Sequence, residues 1–307
     1  MLVHILYENP DWLPPLEAGL KAHNLDYRLV EVWQGDLPID QPPPEGIWIN
    51  RMSPSSHTRG HSESVALMRE TLAWLEAHDR RVINGSAAFR LEISKVQQDL
   101  ALRRHGIQTP RTVAGVGAEA LIKLAGTFDG PFITKHNQGG KGLGISLFNN
   151  ADEFSAYVKS DEFDRGPDGV VVLQQYIKPA GGFITRVELV GDRFLYAMRS
   201  STSDGFELCP SDACQIPKQP VADVCPIDGA AKFSLSPITA DDPLVAQYIA
   251  LCKAEGLEVA GIEFVEDAEG NRYTYDINGT TNYNSAVGRE AGIDGMHELA
   301  GYIAGLS

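Results

Sequence analysis

The sequence lacks the features that would direct a chain to a membrane, to nucleic acid or to an oxidising compartment. No apolar run approaches the ~20 residues that a bilayer span needs, so we exclude an integral membrane protein. The N-terminus, MLVHILYENPDW, has no basic segment before its apolar residues, and we expect no signal peptide. Lys and Arg number 26 against 41 Asp and Glu, and the resulting net charge of −15 argues against nucleic-acid binding. Only four cysteines occur, which predicts a reduced, cytoplasmic protein.

The first 90 residues alternate short apolar runs with amphipathic stretches. We predict strands at 2–7, 46–50 and 81–84, with helices between them. Strands that alternate with helices are typical of parallel β-α-β units. With 43 % hydrophobic residues in 307, the chain can build sizeable cores, and at roughly 150 residues per domain it makes about two domains. The fold class predicted here is α/β.

The last 130 residues contain long β-rich runs and predict an α+β arrangement. These runs pair across two short turns, at 191–193 and 268–271, which indicates antiparallel hairpins. Between 200 and 238 the chain has several prolines and three cysteines, and we predict irregular structure there.

The segment FITKHNQGGKGLGIS at 132–146 places a lysine, Lys135, on a strand before a glycine-rich turn. Gly139, Gly140 and Gly142 remove the side chains that would hold a backbone away from a ligand, and successive N–H groups can bind an anion. The glycine spacing fits neither a Walker loop nor a Rossmann fingerprint. An ordinary flexible turn and a phosphate-binding loop are both compatible with this segment alone.

The segment GIEFVEDAEGNRYTYDIN at 261–278 predicts a hairpin with oxygen ligands on one face. A turn centred near Gly270 places Glu263 across from Asp276, and Asn278 shares the face of Asp276 because it lies two residues on. Two carboxylates and an amide oxygen suit Mg²⁺, whereas ordinary surface acids are the alternative. The neighbours expected to face a core are Ile262, Phe264, Tyr275 and Ile277.

These segments, in order, resemble the ATP-grasp superfamily over about residues 80–300, and most of all the RimK-like ribosomal-protein glutamate ligases. The resemblance includes SKVQQDLALRRHGIQTPRT at 94–112, VLQQYIKPAGG at 172–182 and FITRVELVGDR at 183–193. It implies an ATP-grasp fold: an N-terminal α/β lobe at 1–93, a central lid lobe at 94–178 and a C-terminal lobe at 179–307. ATP would lie between the last two lobes.

The resemblance also implies roles for individual residues. Lys95 and Lys135 would contact nucleotide phosphates, and Arg186 and Arg199 would meet the transferring phosphoryl group. Gln174, Gln175, Tyr176 and Ile177 would surround the adenine. Glu263, Asp276 and Asn278 would bind Mg²⁺, with Mn²⁺ as an alternative. The pattern departs from the family at Ile184, where relatives carry an acid, and at 205–214, which does not match the acceptor segment.

A ligase of this kind would join a carboxylate to an amine, with amino acids or peptides as the substrates. An ATP-grasp kinase and a non-catalytic ATP-binding regulator are the alternatives. The sequence does not identify the carboxylate or the amine. It is compatible with a homo-oligomer.

Other polar residues have two interpretations each. Arg51, His57, Arg59 and His61 follow a predicted strand, at the sheet edge where open α/β sheets bind ligands. By analogy with the family, Arg51 and Arg59 would bind a substrate carboxylate, and a solvent loop is the alternative. A metal pair of His57 and His61 is disfavoured because no third ligand lies nearby in the sequence. Cys209, Cys214 and Cys225 lack paired zinc spacing, and we expect reduced thiols, with a role for Cys209 or Cys214 at the acceptor pocket as the alternative. Asp204, Glu207 and Asp212 would attract a cationic amine or be hydrated, and Asn282 and Asn284 would line the site.

Overall fold

Three β-sheets organise the part of the chain that the computed structural model describes, residues 2–140, 142, 144–202 and 232–306. Within these ranges no helix has the length and apolarity to cross a bilayer. The mixed α/β composition predicted from the sequence is observed: the first sheet is parallel and the other two are antiparallel.

The N-terminal sheet has the strand order β2-β1-β3-β4. Its elements are β1 (Leu2–Tyr7), α1 (Pro14–Ala22), β2 (Asp26–Glu31), β3 (Ile47–Arg51), α2 (Ser64–Ala77) and β4 (Arg81–Ile83). The β1 and β3 side chains are buried on both faces, as expected of strands between covering layers. Arg51 is the last residue of β3 and so lies at the carboxyl end of that strand.

Two helices, α3 (Ser86–Glu92) and α4 (Lys95–Arg104), follow β4. Ser94 separates them because its side chain accepts the Gln97 N–H and caps α4 at 3.2 Å. The α4 residues Ala101 and Leu102 pack in the C-terminal core, although the predicted boundaries assign this helix to the central lobe. The structure therefore places Lys95 beside the C-terminal sheet.

The central sheet has the order β5-β8-β6-β7. Its elements are β5 (Thr112–Gly115), α5 (Ala118–Ala125), β6 (Phe132–His136), β7 (Ser146–Phe148), α6 (Ala151–Val158) and β8 (Val171–Gln175). An aromatic cluster of Phe132, Phe148 and Phe154 joins the sheet to its helices. This core fixes β6, from which Lys135 projects.

The C-terminal sheet has the order β11-β10-β9-β12-β13. Its elements are β9 (Phe183–Val190), β10 (Arg193–Ser201), β11 (Phe233–Leu235), α7 (Pro243–Glu255), β12 (Val259–Glu266), β13 (Arg272–Asn278), α8 (Ser285–Ala291) and α9 (Gly295–Ala304). The short strand β11 lies inside the segment predicted to be irregular, because Phe233–Leu235 pair with β10.

The two faces of the C-terminal sheet have different neighbours. Val187, Ile262 and Ile277 lie in a core with α7 residues, whereas Met198 and Val259 share a core with the N-terminal sheet and α9. Because strand residues alternate between faces, Arg186 and Glu188 lie on the side of Met198. That face carries the candidate site.

Candidate active site

The hairpin of β12 and β13 brings the two predicted carboxylates together. Glu263 and Asp276 are cross-strand partners, and Gly261 is paired with Asn278. The cross-strand placement inferred from the turn is thus observed. The Asn278 amide donates to Asp276 Oδ2 at 3.3 Å, so the amide and both carboxylates occupy one end of the sheet.

A β-bulge changes the environment of Tyr275. The register passes from Glu263 opposite Asp276 directly to Phe264 opposite Thr274, so Tyr275 is the extra residue. The prediction that Tyr275 faces the core is wrong, because the bulge reverses the alternation at this residue. Its hydroxyl donates to Glu263 Oε2 at 3.1 Å.

Arg186 on β9 lies between two buried carboxylates. Its Nε donates to Glu188 Oε1 at 2.7 Å and its Nη1 to Glu263 Oε1 at 2.9 Å. Burial alone lowers the pKa of Arg186, but Glu188 and Glu263 together raise it above its ordinary value. Burial raises the pKa of Glu263, against the opposing effect of Arg186. The guanidinium therefore remains charged inside the protein.

Lys95 forms an ion pair with the Asp276 carboxylate. Its position is set by the start of α4, where the Lys95 N–H donates to Asn137 O and the Val96 N–H to Asn137 Oδ1, both at 3.0 Å. Asn137 follows β6, so it ties the helix to the central sheet. Asn137 thus connects the two elements that carry the predicted phosphate-binding lysines, α4 with Lys95 and β6 with Lys135.

Lys135 on β6 enters the same cluster from the central sheet. Its Nζ lies 4.5 Å from the centroid of the Tyr275 ring. Burial lowers the pKa of Lys135 to about 8, partly offset by the Asp276 carboxylate. The cluster thus combines three cations, Lys95, Lys135 and Arg186, with three carboxylates, Glu188, Glu263 and Asp276.

The glycine-rich turn wraps around the imidazole of His136. A Cβ added at Gly144 would clash with this ring, and one at Gly139 would lie 3.2 Å from His136 Cβ. Gly142 and Gly144 both have positive φ angles, +74° and +73°, a conformation that glycine adopts without strain. Gly140 lies close to Ser55, so the turn also faces the N-terminal sheet.

The predicted adenine-binding segment lies at the end of β8. The buried Gln174 side chain donates to Thr112 Oγ1 at 3.0 Å, whereas Gln175 is exposed and accepts the Arg111 N–H at 3.3 Å. The Tyr176 N–H donates to Pro131 O at 3.0 Å and is already used within the protein. Ile177 is half-buried beside it.

The structure does not bring Arg199 together with Arg186. Arg199 is paired with Thr185, one residue out of step with Arg186, so it projects from the opposite face of the sheet. There its guanidinium lies 4.1 Å from the centroid of the Phe183 ring.

The loop after β13 is held by Glu92, which sequence reasoning did not identify, and by Arg51, which it did. Glu92 on α3 accepts the Gly279 N–H and, at 2.7 Å, the Thr280 hydroxyl. Arg51 donates to Thr281 O at 2.8 Å and also to the Asn282 side chain. Sequence reasoning also missed Glu188. The signal that could have identified it is its spacing, because a residue two positions after Arg186 lies on the same face of the strand.

Arg59 and His61, two of the other N-terminal candidates, share a partner within the protein. Glu8, fully buried, accepts the Arg59 Nε–H at 2.9 Å and lies 2.6 Å from His61 Nδ1. Burial lowers the pKa of His57. Asn284 is buried and caps α8 by accepting the Val287 N–H at 2.9 Å. The proposed carboxylate-binding role of Arg51 and Arg59 stays a prediction.

Several candidates lie outside the described residues. These are Cys209, Cys214, Cys225, Asp204, Glu207, Asp212 and the unmatched acceptor segment at 205–214. Cys252, in contrast, is a buried free thiol of α7.

The donor set at the hairpin fits a magnesium ion. Glu263, Asp276 and Asn278 supply hard oxygen atoms from one end of two paired strands. Among the residues that the structure describes, no cluster of three or more His, Cys, Asp or Glu side chains could hold a metal. The predicted set contains only two such residues, and ions bound with substrate phosphates typically use one or two carboxylates.

Comparisons with solved structures identify the fold. The RimK domain ATP-grasp protein from Sphaerobacter thermophilus superposes with a TM-score of 0.67 at 18 % identity, over 99 % of both chains. The ATP-grasp ligase PsnB, complexed with its minimal precursor, Mg and ADP, has a TM-score of 0.65 at 16 % identity, over 99 % of this chain and 96 % of that one. The chain therefore has the ATP-grasp fold, which confirms the predicted fold class.

The sequence comparison indicates which ATP-grasp proteins the chain resembles. A probable alpha-L-glutamate ligase of Photobacterium profundum is 26 % identical over 204 residues, 65 % of this chain and 60 % of that protein. The chain thus matches about three fifths of this relative's length. No protein-family model matches the chain. The resemblance to glutamate ligases inferred from the motifs is confirmed.

Proposed function

We propose that the chain is an ATP-dependent ligase that joins a carboxylate to an amine and releases ADP and phosphate. The observation that carries this proposal is the buried cluster in which Lys95, Lys135 and Arg186 meet Glu263 and Asp276. Its ATP-grasp fold and its similarity to a protein named as a glutamate ligase support the same activity.

The nucleotide would lie between the central and C-terminal lobes. Lys95 and Lys135 would bind its phosphates as point charges, and the glycine-rich turn would cover them with backbone N–H groups. Residues 174–177 would surround the adenine, through the Tyr176 carbonyl and the Ile177 backbone, because the Tyr176 N–H has an internal partner. The lobe boundaries at 93 and 178 belong to this proposal.

Glu263, Asp276 and Asn278 would hold Mg²⁺, with Mn²⁺ as an alternative, and the bound ion would neutralise phosphate charge. A neighbouring side chain would act on the phosphoryl group during its transfer. Arg186 is held in place by two carboxylates and would meet the charge that develops on the transferring phosphoryl group. Arg199, on the other face, would act only if it reached the substrate from there.

Ligation needs activation because a carboxylate has no adequate leaving group at neutral pH. A carboxylate oxygen attacks the γ-phosphorus, and the bond between that phosphorus and the β,γ-bridging oxygen breaks, which gives an acyl phosphate and ADP. The amine then attacks the acyl carbon, phosphate departs and the ammonium proton is released to solvent. No nucleophilic side chain is required, and positioning with charge stabilisation supplies the catalysis.

The substrates proposed are amino acids or short peptides, bound where the N-terminal lobe meets the glycine-rich turn near Ser55. We place the reaction in the cytoplasm, where ATP is available. A homo-oligomer is compatible with the proposal but is not required by it.

A hydroxylamine trap tests the proposal. The protein is incubated with ATP, Mg²⁺, a panel of amino acids and peptides, and hydroxylamine, and both ADP and hydroxamate are measured. A substrate-dependent hydroxamate is expected, since hydroxylamine intercepts an acyl phosphate. ADP with a phosphorylated product but no hydroxamate would identify a kinase. Nucleotide binding without turnover across the panel would identify a regulator.

A further inference from the structure

Arg186 contacts two carboxylates whose surroundings differ. Glu188 is fully buried, and its oxygens accept the Thr281 hydroxyl at 2.9 and 3.1 Å in addition to Arg186 Nε. Glu263 accepts Arg186 Nη1 and the Tyr275 hydroxyl and lies opposite Asp276. Only the second carboxylate belongs to the proposed metal site.

The Arg186 guanidinium lies between Glu188 and that site. Glu188 is paired with Gly261, and the space beside Gly261 is filled by the Arg186 guanidinium, with which an added Cβ would clash. The guanidinium thus separates Glu188 from Glu263. Glu188 therefore contacts Arg186 from the side away from Glu263 and Asp276.

We propose that Glu188 is the permanent counter-ion of Arg186 and positions it while Glu263 changes partner. This inference rests on the proposed function. One carboxylate cannot neutralise both a buried guanidinium and a metal ion, and a buried charge left without a partner is strongly unfavourable. With Glu188 present, Glu263 can turn to the metal, and Arg186 keeps one carboxylate while its Nη1 becomes available to phosphate.

Glu188 also links Arg186 to the loop after β13. The Thr281 hydroxyl donates to Glu188, and the Thr281 backbone carbonyl accepts a hydrogen bond from Arg51 at 2.8 Å. The arginine and the loop that follows Asp276 and Asn278 are therefore held by one side chain. Glu188 is a positioning residue and does not touch the reacting atoms.

The test compares Mn²⁺ binding to the wild type and to Glu188→Gln, in the presence of a non-hydrolysable ATP analogue, by electron paramagnetic resonance. Glutamine keeps the size of the side chain and can still accept from Thr281. In this variant Arg186 depends on Glu263 alone, so we expect Mn²⁺ affinity to fall by about 10- to 100-fold. Glu255→Gln is the control. Glu255, the last residue of α7, is also a buried carboxylate, and it accepts a hydrogen bond from Arg104 of α4 at 2.6 Å.

A double variant separates charge from simple structural support. Arg186→Met combined with Glu188→Gln leaves no unpaired guanidinium, so Mn²⁺ affinity should return to within about threefold of the wild type. Turnover should stay low because the arginine is gone. If Glu188→Gln does not fold, the double variant alone decides.

The outcomes separate this inference from the proposed function. Wild-type-like Mn²⁺ affinity in Glu188→Gln, or weak binding that persists in the double variant, would overturn the role of Glu188 alone. A wild-type protein that binds no Mn²⁺ with the nucleotide would overturn the proposed function and this inference with it.

Discussion

Lys95 and Asp276 form an ion pair that joins the first turn of α4 to β13 at the centre of the candidate site. Arg186 and Glu263 form a second pair at 2.9 Å on the neighbouring strands. Each carboxylate proposed to bind metal is therefore neutralised by a cation proposed to bind phosphate. Metal and nucleotide would replace these partners together.

Replacing Asp276 by Asn should lower kcat by about 10²–10³, the scale of losing one charged partner of the transition state. The substitution removes a metal ligand's charge and leaves Lys95 without its carboxylate. ADP release measures the effect, and thermal melting checks the fold. Asp129→Asn, at an exposed position, is the control. Near-wild-type turnover in Asp276→Asn would remove this carboxylate from the mechanism.

Removing Mg²⁺ should weaken ATP binding by about 5- to 150-fold, the usual range of coupling between two sites. Without the metal, Glu263 and Asp276 remain tied to Arg186 and Lys95, which are then less available to phosphate. Titrations with and without a chelator measure the change. The same metal dependence should shrink in Asp276→Asn. Equal ATP affinities with and without Mg²⁺ in the wild type would contradict the exchange of partners.

Nucleotide affinity should fall as the pH rises above about 8. Burial lowers the pKa of Lys135 to about 8, so the lysine of the free protein loses its proton there, and only the charged form binds phosphate strongly. Bound phosphate favours the charged form and raises this pKa, hence binding should take up a proton near pH 8. Calorimetry in two buffers of different ionisation enthalpy measures that uptake.

The matching variant for this pH dependence is Lys135→Arg, whose guanidinium stays charged throughout the range. Its affinity, whatever its absolute value, should not decline between pH 7.5 and about 9.5. An identical decline in both proteins would assign the titration to another group.

Gly261→Ala should lower kcat by about tenfold or more without unfolding the protein, because its Cβ would enter the space of the Arg186 guanidinium. The φ angle of Gly261 is not positive, so alanine fits the strand backbone itself. Gly130→Ala is the control, since a Cβ there meets nothing within 4 Å. Equal turnover in both variants would show that the position of Arg186 is not critical.

Local sequence patterns were sufficient for the elements whose partners are near in the chain. The turn at Gly270 placed Glu263 opposite Asp276 because a hairpin register follows from its turn. The alternation of strands and helices over residues 2–90 gave the parallel sheet, because parallel strands need a crossover connection between them. The break between α3 and α4 was not predicted, because it depends on the Ser94 side chain, which caps the second helix.

The parts that could not be predicted depend on contacts distant in sequence or on irregular backbone. The bulge at Tyr275 has no signature in GIEFVEDAEGNRYTYDIN, yet it moves an aromatic ring from the core to the site. Arg51 and Thr281 are 230 residues apart, so their hydrogen bond is visible only in the folded chain. The placement of Arg199 follows from register, which a motif match does not contain.

The central claim is that Mg²⁺ and ATP bind together between the lysines and the β12–β13 hairpin. Titration calorimetry of ATP into the protein with excess Mg²⁺, alongside Lys135→Met, tests it most directly. We expect saturable binding of one nucleotide per chain by the wild type and a loss of about tenfold or more in the variant. No heat of binding in the wild type, or equal affinity in the two proteins, would contradict it.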